Sequence, residues 1–319
     1  MKIVILDGIA VSNNDIGFAP IEAIAPTVVY ENTPKELIAE RVRDADFILT
    51  NRVPVSAETI AAAQHLKWIG AFATGYNLID IAEAKQRGIV VANVPNYSSS
   101  AVAQMTFAML LELCAHVGDF TQAVHQGAWQ RLGVSAMWMY PLTELCGKTL
   151  GLVGFGGIGA AVAKLALAFD MRVLVYSRTV KRELETPDLR FAPLDEVLSQ
   201  SDAVSLHLPL FDSTRGLIGE RELSLMKQTA FFINTARGPI VDEPALARAL
   251  NEGRIAGAAV DVVSAEPIRD DNPLLSAKNC VITPHIAWAP TETRKRLVAI
   301  AADNLTSFLA GKPKNVVNP

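Results

Sequence analysis

Residues 149–182 read TLGLVGFGGIGAAVAKLALAFDMRVLVYSRTVKR, and the fold class follows from them. Leu150, Leu152, Val153 and Phe155 form the short apolar run of a buried strand. Gly154, Gly156 and Gly159 then make a G-x-G-x-x-G, with Gly157 and Ile158 inside it. Ala160 to Phe169 is an alanine-rich helical run, and Met171 to Tyr176 reads as a second strand. The result is a βαβ unit with its glycines at the first strand-to-helix turn. Gly154 permits the tight turn, Gly156 lets a pyrophosphate approach the backbone, and Gly159 lets the helix pack closely on the strand. The pyrophosphate sits on the free N–H groups of the helix N-terminus. The motif alone is weak. The legible strand and helix around it favour dinucleotide binding over a glycine-rich turn with no ligand.

The end of the second strand selects the cofactor. An NAD site ordinarily carries an Asp or Glu about 20 residues past the glycines, for the ribose 2′-hydroxyl. Here that place holds Ser177, followed by Arg178, Thr179, Lys181 and Arg182. Nothing there repels a 2′-phosphate. Arg178 can pair with one, and the hydroxyls of Ser177 and Thr179 can donate to it. NADP(H) is favoured over NAD(H). The competing interpretation is a solvated basic loop with NAD bound through Ser177.

The remaining composition sets outer bounds. A chain of 319 residues, half of them hydrophobic and 19% charged, can bury the cores of about two domains. The net charge is −4 with both signs interspersed, which argues against a nucleic-acid partner. MKIVILDG is too short for a signal-peptide apolar region. Lys164, Gln104 and Glu112 interrupt the most apolar later stretches, so no membrane span is expected. Cys114, Cys146 and Cys280 are odd in number and widely spaced, which suits a reduced cytoplasm and offers no metal-ligand pattern.

Residues 1–97 alternate strands (Ile3–Leu6, Phe47–Thr50, Trp68–Phe72, Ile89–Ala92) with helices (Pro34–Arg43, Ser56–Gln64, Leu78–Arg87). Ser56 is the expected N-cap of the second helix. Such alternation predicts a parallel sheet covered by helices, with ligands at the carboxyl ends of the strands. Thr50-Asn51-Arg52 and Ala73-Thr74-Gly75-Tyr76-Asn77 lie at such ends. The second is a turn entering a helix, whose N–H groups either hold a carboxylate or belong to an ordinary turn. Residues 98–126 begin with three serines and continue as one long helix carrying His116, with His125 near its end. Neither histidine receives a role. Residues 127–147 hold Trp129, Met137, Trp138, Met139 and Tyr140 with weak periodicity. An exposed patch at a subunit contact and a core-packing loop both fit.

Further strands end at His207-Leu208-Pro209, at Thr235-Ala236-Arg237-Gly238, at Asp261 and at Pro284-His285, and a final helix spans Thr291–Leu309. The expected organisation is α/β throughout. A smaller domain comprises 1–97 plus 286–319, and a larger doubly wound domain comprises 98–285. Arg237, Glu266 and His285 fall where strands of the larger domain end. A guanidinium grips a carboxylate by two parallel hydrogen bonds, and an imidazole moves a proton near neutral pH. Glu266 can accept the other ring N–H of His285, fixing its tautomer. Taken singly, each has a bland interpretation as surface ion pair, turn cap or core residue. Their company with a cofactor site favours chemistry. His207 reads as structural or cofactor-adjacent.

These motifs, in this order over nearly the whole chain, resemble the D-isomer-specific 2-hydroxyacid dehydrogenases. The resemblance rests on the glycine fingerprint, His207-Leu208-Pro209, Asn234-Thr235-Ala236-Arg237-Gly238, Val262-Val263-Ser264-Ala265-Glu266-Pro267 and Thr283-Pro284-His285-Ile286-Ala287-Trp288. Tyr140-Pro141-Leu142-Thr143-Glu144-Leu145 and His285-Ile286-Ala287-Trp288 look most like the glycerate dehydrogenase (hydroxypyruvate reductase) and glyoxylate reductase branch. The resemblance implies a Rossmann larger domain and a flavodoxin-like smaller one. It makes Arg237 the binder of the substrate carboxylate and carbonyl, His285 the acid/base and Glu266 its support. The Thr74-Gly75 turn would hold the carboxylate with its amides, and Trp288 would narrow the pocket between the domains. Cofactor contacts would include Gly156 to Gly159, Ser177, Arg178, Thr179, Pro209, Thr214, Thr235, Arg237 and Asp261, with Thr106 a weaker candidate. The family also implies a homodimer through the larger domain and small 2-oxo acid substrates, with hydroxypyruvate or glyoxylate first. Ser177 departs from the acidic residue of the NAD-using members. Glu266 argues against a formate dehydrogenase, where a glutamine partners the histidine. Other expectations on the same fold are a D-lactate or 3-phosphoglycerate type of dehydrogenase, and a cofactor-sensing corepressor.

Overall fold

Strand residues of this chain are apolar on both faces, the signature of parallel sheets buried between helices. A computed structural model describes residues 1–319 and divides them into two compact units, Met1–Ser98 with Trp288–Pro319, and Ser99–Ala287.

The smaller unit contains β1 (Ile3–Ile5), β2 (Thr27–Val29), β3 (Phe47–Thr50), β4 (Trp68–Ala71) and β5 (Val90–Ala92). All pair in parallel, in the order β2-β1-β3-β4-β5, which is the flavodoxin-like arrangement. The period-2 alternation of the strands sends alternate residues to two cores. Ile3, Ile5, Phe47, Leu49 and Trp68 meet Leu297, Val298, Ala301 and Leu305 of the last helix, Thr291–Leu309. Val4, Ile48, Ile69 and Val91 face the other way, onto Val42, Ile60 and Ala84. The last helix is tied to the start of the chain by Arg294. Its buried guanidinium donates to both oxygens of Asp15 (2.6 and 2.7 Å) and to the carbonyls of Val11, Ser12 and Ala289. Ser56 caps its helix by accepting from Thr59 N, as expected.

The larger unit adds β6 (Thr149–Val153), β7 (Arg172–Tyr176), β8 (Leu189–Phe191), β9 (Ala203–Leu206), β10 (Phe231–Asn234), β11 (Gly257–Val260) and β12 (Cys280–Ile282). Their order is β12-β11-β10-β9-β6-β7-β8, again all parallel. This is the Rossmann order with one further strand, and its topological switch lies between β6 and β9. Leu150, Leu152, Val173, Val175 and Ile233 pack on Phe107, Leu110, Val162 and Ala166 on one face. Val204, Leu206, Phe232 and Val260 pack on Leu223, Leu246 and Leu250 on the other.

Three details differ from expectation. The helix begun at Ser99 does not run unbroken to residue 126. It ends at Ala115, and a second helix, Val117–His125, leaves at 56°. The break sits on His116, whose φ of 51° is left-handed, and Glu112 accepts from Gly118 N to satisfy the new helix start. No single helix is long and apolar enough to cross a membrane. Ile286 and Ala287 stay with the larger unit rather than the smaller, because both donate their N–H groups to Asp261. Finally, the Thr74-Gly75 turn does not enter a helix directly. The helix begins only at Ile81, capped by Asp80, after Ile79 bridges to Val55.

Candidate active site

The glycine turn at the end of β6 has the shape a dinucleotide needs. Gly154 has a φ of 108°, and a Cβ there would lie 2.5 Å from the His207 carbonyl oxygen at the end of β9. A Cβ on Gly159 would overlap the Gly154 carbonyl, so helix Gly157–Ala168 can approach the turn only without one. Gly156, the N-cap, has nothing within 4 Å of where its Cβ would stand, and Gly157 beside it is exposed. The helix N-terminus therefore opens onto free space, and a pyrophosphate fits there. At the end of β7, Ser177 is half-buried, while Arg178 and Thr179 are exposed.

The loop after β9 is closed by Thr214, whose hydroxyl donates to the Pro209 carbonyl (2.8 Å) and accepts from Phe211 N (2.8 Å). His207 packs against the glycine turn. Its Nε2 lies 3.0 Å from Ser205 Oγ, its Nδ1 is enclosed without a partner, and burial pushes its pKa down to about 3. The residue keeps some exposed surface, but the enclosed Nδ1 favours the neutral ring.

Arg237 follows β10 on a turn built by Asn234, a residue of the quoted motif to which the sequence analysis gives no role. The buried Asn234 amide accepts from Ala236 N (3.0 Å) and donates to the Arg237 carbonyl (3.0 Å). Thr235 Oγ1 lies 3.2 Å from Thr106 Oγ1. Thr106 is fully buried and donates to Val102 O. The Arg237 guanidinium is half-buried and donates to the Ala236 carbonyl (2.7 Å).

His285 follows β12 with a φ of 55°, a left-handed conformation that a residue with a side chain seldom adopts. Asp261 holds it. The Asp261 carbonyl accepts from His285 N (2.7 Å), and its carboxylate accepts from Thr283 Oγ1 (2.5 Å), Ile286 N (2.9 Å) and Ala287 N (2.9 Å). Burial pushes the Asp261 carboxyl above the ordinary carboxylate value, with these hydrogen bonds acting the other way. Asp261 was expected only as a cofactor contact, and shaping the histidine loop is a second task. Nδ1 of His285 lies 2.6 Å from Oε2 of Glu266. Both side chains retain exposed surface, 27% and 32%. A carboxylate at that distance fixes the proton on Nδ1 and leaves Nε2 for a ligand.

The profile described as D-isomer specific 2-hydroxyacid dehydrogenase, NAD binding domain, matches residues 107–287. The chain belongs to the D-isomer-specific 2-hydroxyacid dehydrogenase family. It is 46% identical to a hydroxypyruvate reductase of Blautia hydrogenotrophica, over the full length of both chains. It is 43% identical to a glyoxylate reductase of Aeropyrum pernix, covering 91% of this chain and 88% of that one. Among solved structures, it resembles an NADPH-dependent glyoxylate/hydroxypyruvate reductase of Sinorhizobium meliloti in complex with NADP and malonate. That match has 30% identity and a TM-score of 0.85 over 99% of this chain and 96% of that one. The protein is thus an oxidoreductase of this family, acting on the CH–OH group of 2-hydroxy acids and on the corresponding 2-oxo acids with a nicotinamide dinucleotide.

In the smaller unit, the Thr74-Gly75 turn is tied down from behind. Asn93 Nδ2 donates to the Thr74 carbonyl (2.7 Å), Thr74 Oγ1 donates to Val94 O (3.0 Å), and Asn51 Nδ2 donates to Phe72 O (2.6 Å). The backbone N–H groups of Thr74 and Gly75 donate to no protein acceptor. Trp288 packs edge-on to Tyr97, with ring centroids 6.4 Å apart.

Proposed function

We propose that this protein reduces hydroxypyruvate or glyoxylate to the D-2-hydroxy acid, reversibly, with NADPH preferred over NADH. The observation that carries the proposal is the His285–Glu266 pair at 2.6 Å, set on the same sheet end as Arg237. In the reductive direction, Arg237 takes the substrate carboxylate and carbonyl oxygen through parallel N–H bonds. On the smaller unit, carboxylate binding falls to the amides of Thr74 and Gly75, and the restriction to a small side chain to Trp288. The nicotinamide, when bound, supplies the hydride. Nε2 of His285 gives a proton to the developing alkoxide, Glu266 stabilises the imidazolium that does so, and the Arg237 charge stabilises the oxyanion.

Gly154, Gly156, Gly157, Ile158 and Gly159 would hold the pyrophosphate. Pro209, Thr214, Thr235 and Asp261 would line the remainder of the cofactor site. The NADPH preference rests on Ser177, Arg178 and Thr179, which offer a cation and two hydroxyls where an NAD site carries a carboxylate. We further propose a homodimer through the larger unit. Trp138 (76% exposed), Leu142 (53%) and Trp129 (43%) form an apolar surface suited to a second copy. The three unpaired cysteines suit a reduced, cytoplasmic setting.

The deciding experiment is a steady-state comparison of glyoxylate, hydroxypyruvate, pyruvate and bulkier 2-oxo acids, each with NADPH and NADH. Highest kcat/KM for glyoxylate and hydroxypyruvate with NADPH is expected. Tight cofactor binding without turnover of any 2-oxo acid would contradict the proposal and favour a sensor.

A further inference from the structure

Glu243 opens the helix Glu243–Asn251, where an acidic residue ordinarily faces solvent and the helix dipole. Here it is 7% exposed and turned inward. Its carboxylate accepts from Ser264 N (2.5 Å), Ser264 Oγ (2.6 Å) and Asn272 Nδ2 (2.9 Å). All three donors are neutral. A buried carboxylate held only by neutral donors is costly to keep, and a simple packing site would do better with an apolar residue.

What the carboxylate holds gives it a purpose. Ser264 lies two residues before Glu266, on the loop that presents Glu266 to His285. The same loop is gripped a second time by the segment that carries Arg237. A Cβ on Gly238 would overlap the carbonyl group of Val263, so backbone meets backbone there. The stretch from Arg237 to Glu243 thus presents the guanidinium at one end and fixes the carboxylate partner of the histidine at the other. Within the loop, Oε1 of Glu266 accepts from Val263 N at 3.4 Å.

We propose that Glu243 is a positioning residue for the Glu266–His285 pair, acting through Ser264 to hold Glu266 within bonding distance of the imidazole. This rests on the acid/base assignment made above. Two carboxylates act on His285: Glu266, which meets its ring, and Asp261, at the start of the same loop, which is fixed by its own hydrogen bonds to Thr283, Ile286 and Ala287. Glu243 bonds next to the first, through Ser264, and makes no bond to the second.

The test uses Glu243→Gln in the full-length protein. Glutamine matches the shape, but its NH2 must face a donor, either Ser264 N–H or the Asn272 amide. Two quantities are read: the pH midpoint of the His285 ring by NMR without cofactor, assigned with His285→Asn, and reductive kcat with the NADPH Kd. Loosening the anion beside an imidazole disfavours the protonated ring. The midpoint should move to lower pH by about half a unit or more, and kcat should fall about tenfold with Kd within about twofold. Glu266→Gln should move both further, and the double variant should match Glu266→Gln alone. Ser264→Ala keeps the backbone bond and should show a smaller shift in the same direction, which covers the case that Glu243→Gln folds poorly. An unmoved midpoint in Glu243→Gln and Ser264→Ala, while Glu266→Gln moves it, overturns the positioning proposal alone. Effects that add in the double variant overturn it too. If Glu266→Gln leaves both the midpoint and the rate unchanged, the acid/base assignment itself fails.

Discussion

Gly238 backs directly onto Val263, with no room between the two backbones for even a methyl group. The loops bearing Arg237 and Glu266 are therefore set by one contact. Gly238→Ala must push them apart, and we expect a loss of about 1–3 kcal/mol in stability together with a fall of at least about a hundredfold in kcat/KM. Gly156→Ala is the contrasting case, since its Cβ enters open space. Its melting temperature should stay near that of the parent while NADPH binding weakens by about tenfold or more. Thermal denaturation and cofactor titration of the two variants check the pair.

Arg178 stands exposed at the end of β7, two residues beyond Tyr176. If it pairs with a 2′-phosphate, Arg178→Ala should lower kcat/KM for NADPH by about tenfold or more and leave NADH within about twofold. Steady-state kinetics with both cofactors at one substrate concentration series measures this. Equal losses would place the 2′-phosphate elsewhere.

His207 gives the fold an acid-sensitive element. Burial lowers its pKa from the ordinary 6.5 to about 3, so the folded ring stays neutral while the unfolded ring charges. Its contribution is fully present above about pH 6.5 and is lost as the pH falls towards 3. Between pH 7 and 4.5 the parent should lose roughly 2–3 kcal/mol through this residue alone. His207→Gln should start less stable, since Ser205 loses its partner, but its stability should fall less over that interval. Urea denaturation at the two pH values gives the difference. Parallel losses in parent and variant would show that His207 does not titrate in this way.

Trp138 is the most exposed aromatic residue on the larger unit's apolar surface. Sedimentation of the parent should show a dimer, and Trp138→Glu should shift it towards monomer, because a charge then enters the contact. A monomeric parent at micromolar concentration would remove the homodimer from the account.

The parts of the fold that were legible are those whose residues repeat a pattern against a core. The glycine turn of 154–159 could be read in the sequence because strand and helix flank it. β2 and β8 went unread because both are three-residue edge strands with exposed positions, Val29 in one and Arg190 in the other. The break at His116 has no proline, and Gly118 just beyond it sits inside an otherwise helical pattern. The exposed character of Trp129 and Trp138 was undecided, because weak periodicity does not tell a patch from a loop core. Arg237, Glu266 and His285 are legible as candidates because each follows a strand end of the larger unit. Glu243 was missed because it reads as an ordinary acidic helix start, and its partners Ser264 and Asn272 lie 21 and 29 residues away.

In the proposed reaction, His285 donates the proton. Reductive turnover of hydroxypyruvate and glyoxylate by His285→Asn, with NADPH binding measured separately, tests it most directly. We predict a fall in kcat of about a hundredfold or more with cofactor affinity retained. Near-parental turnover with normal NADPH binding would contradict it.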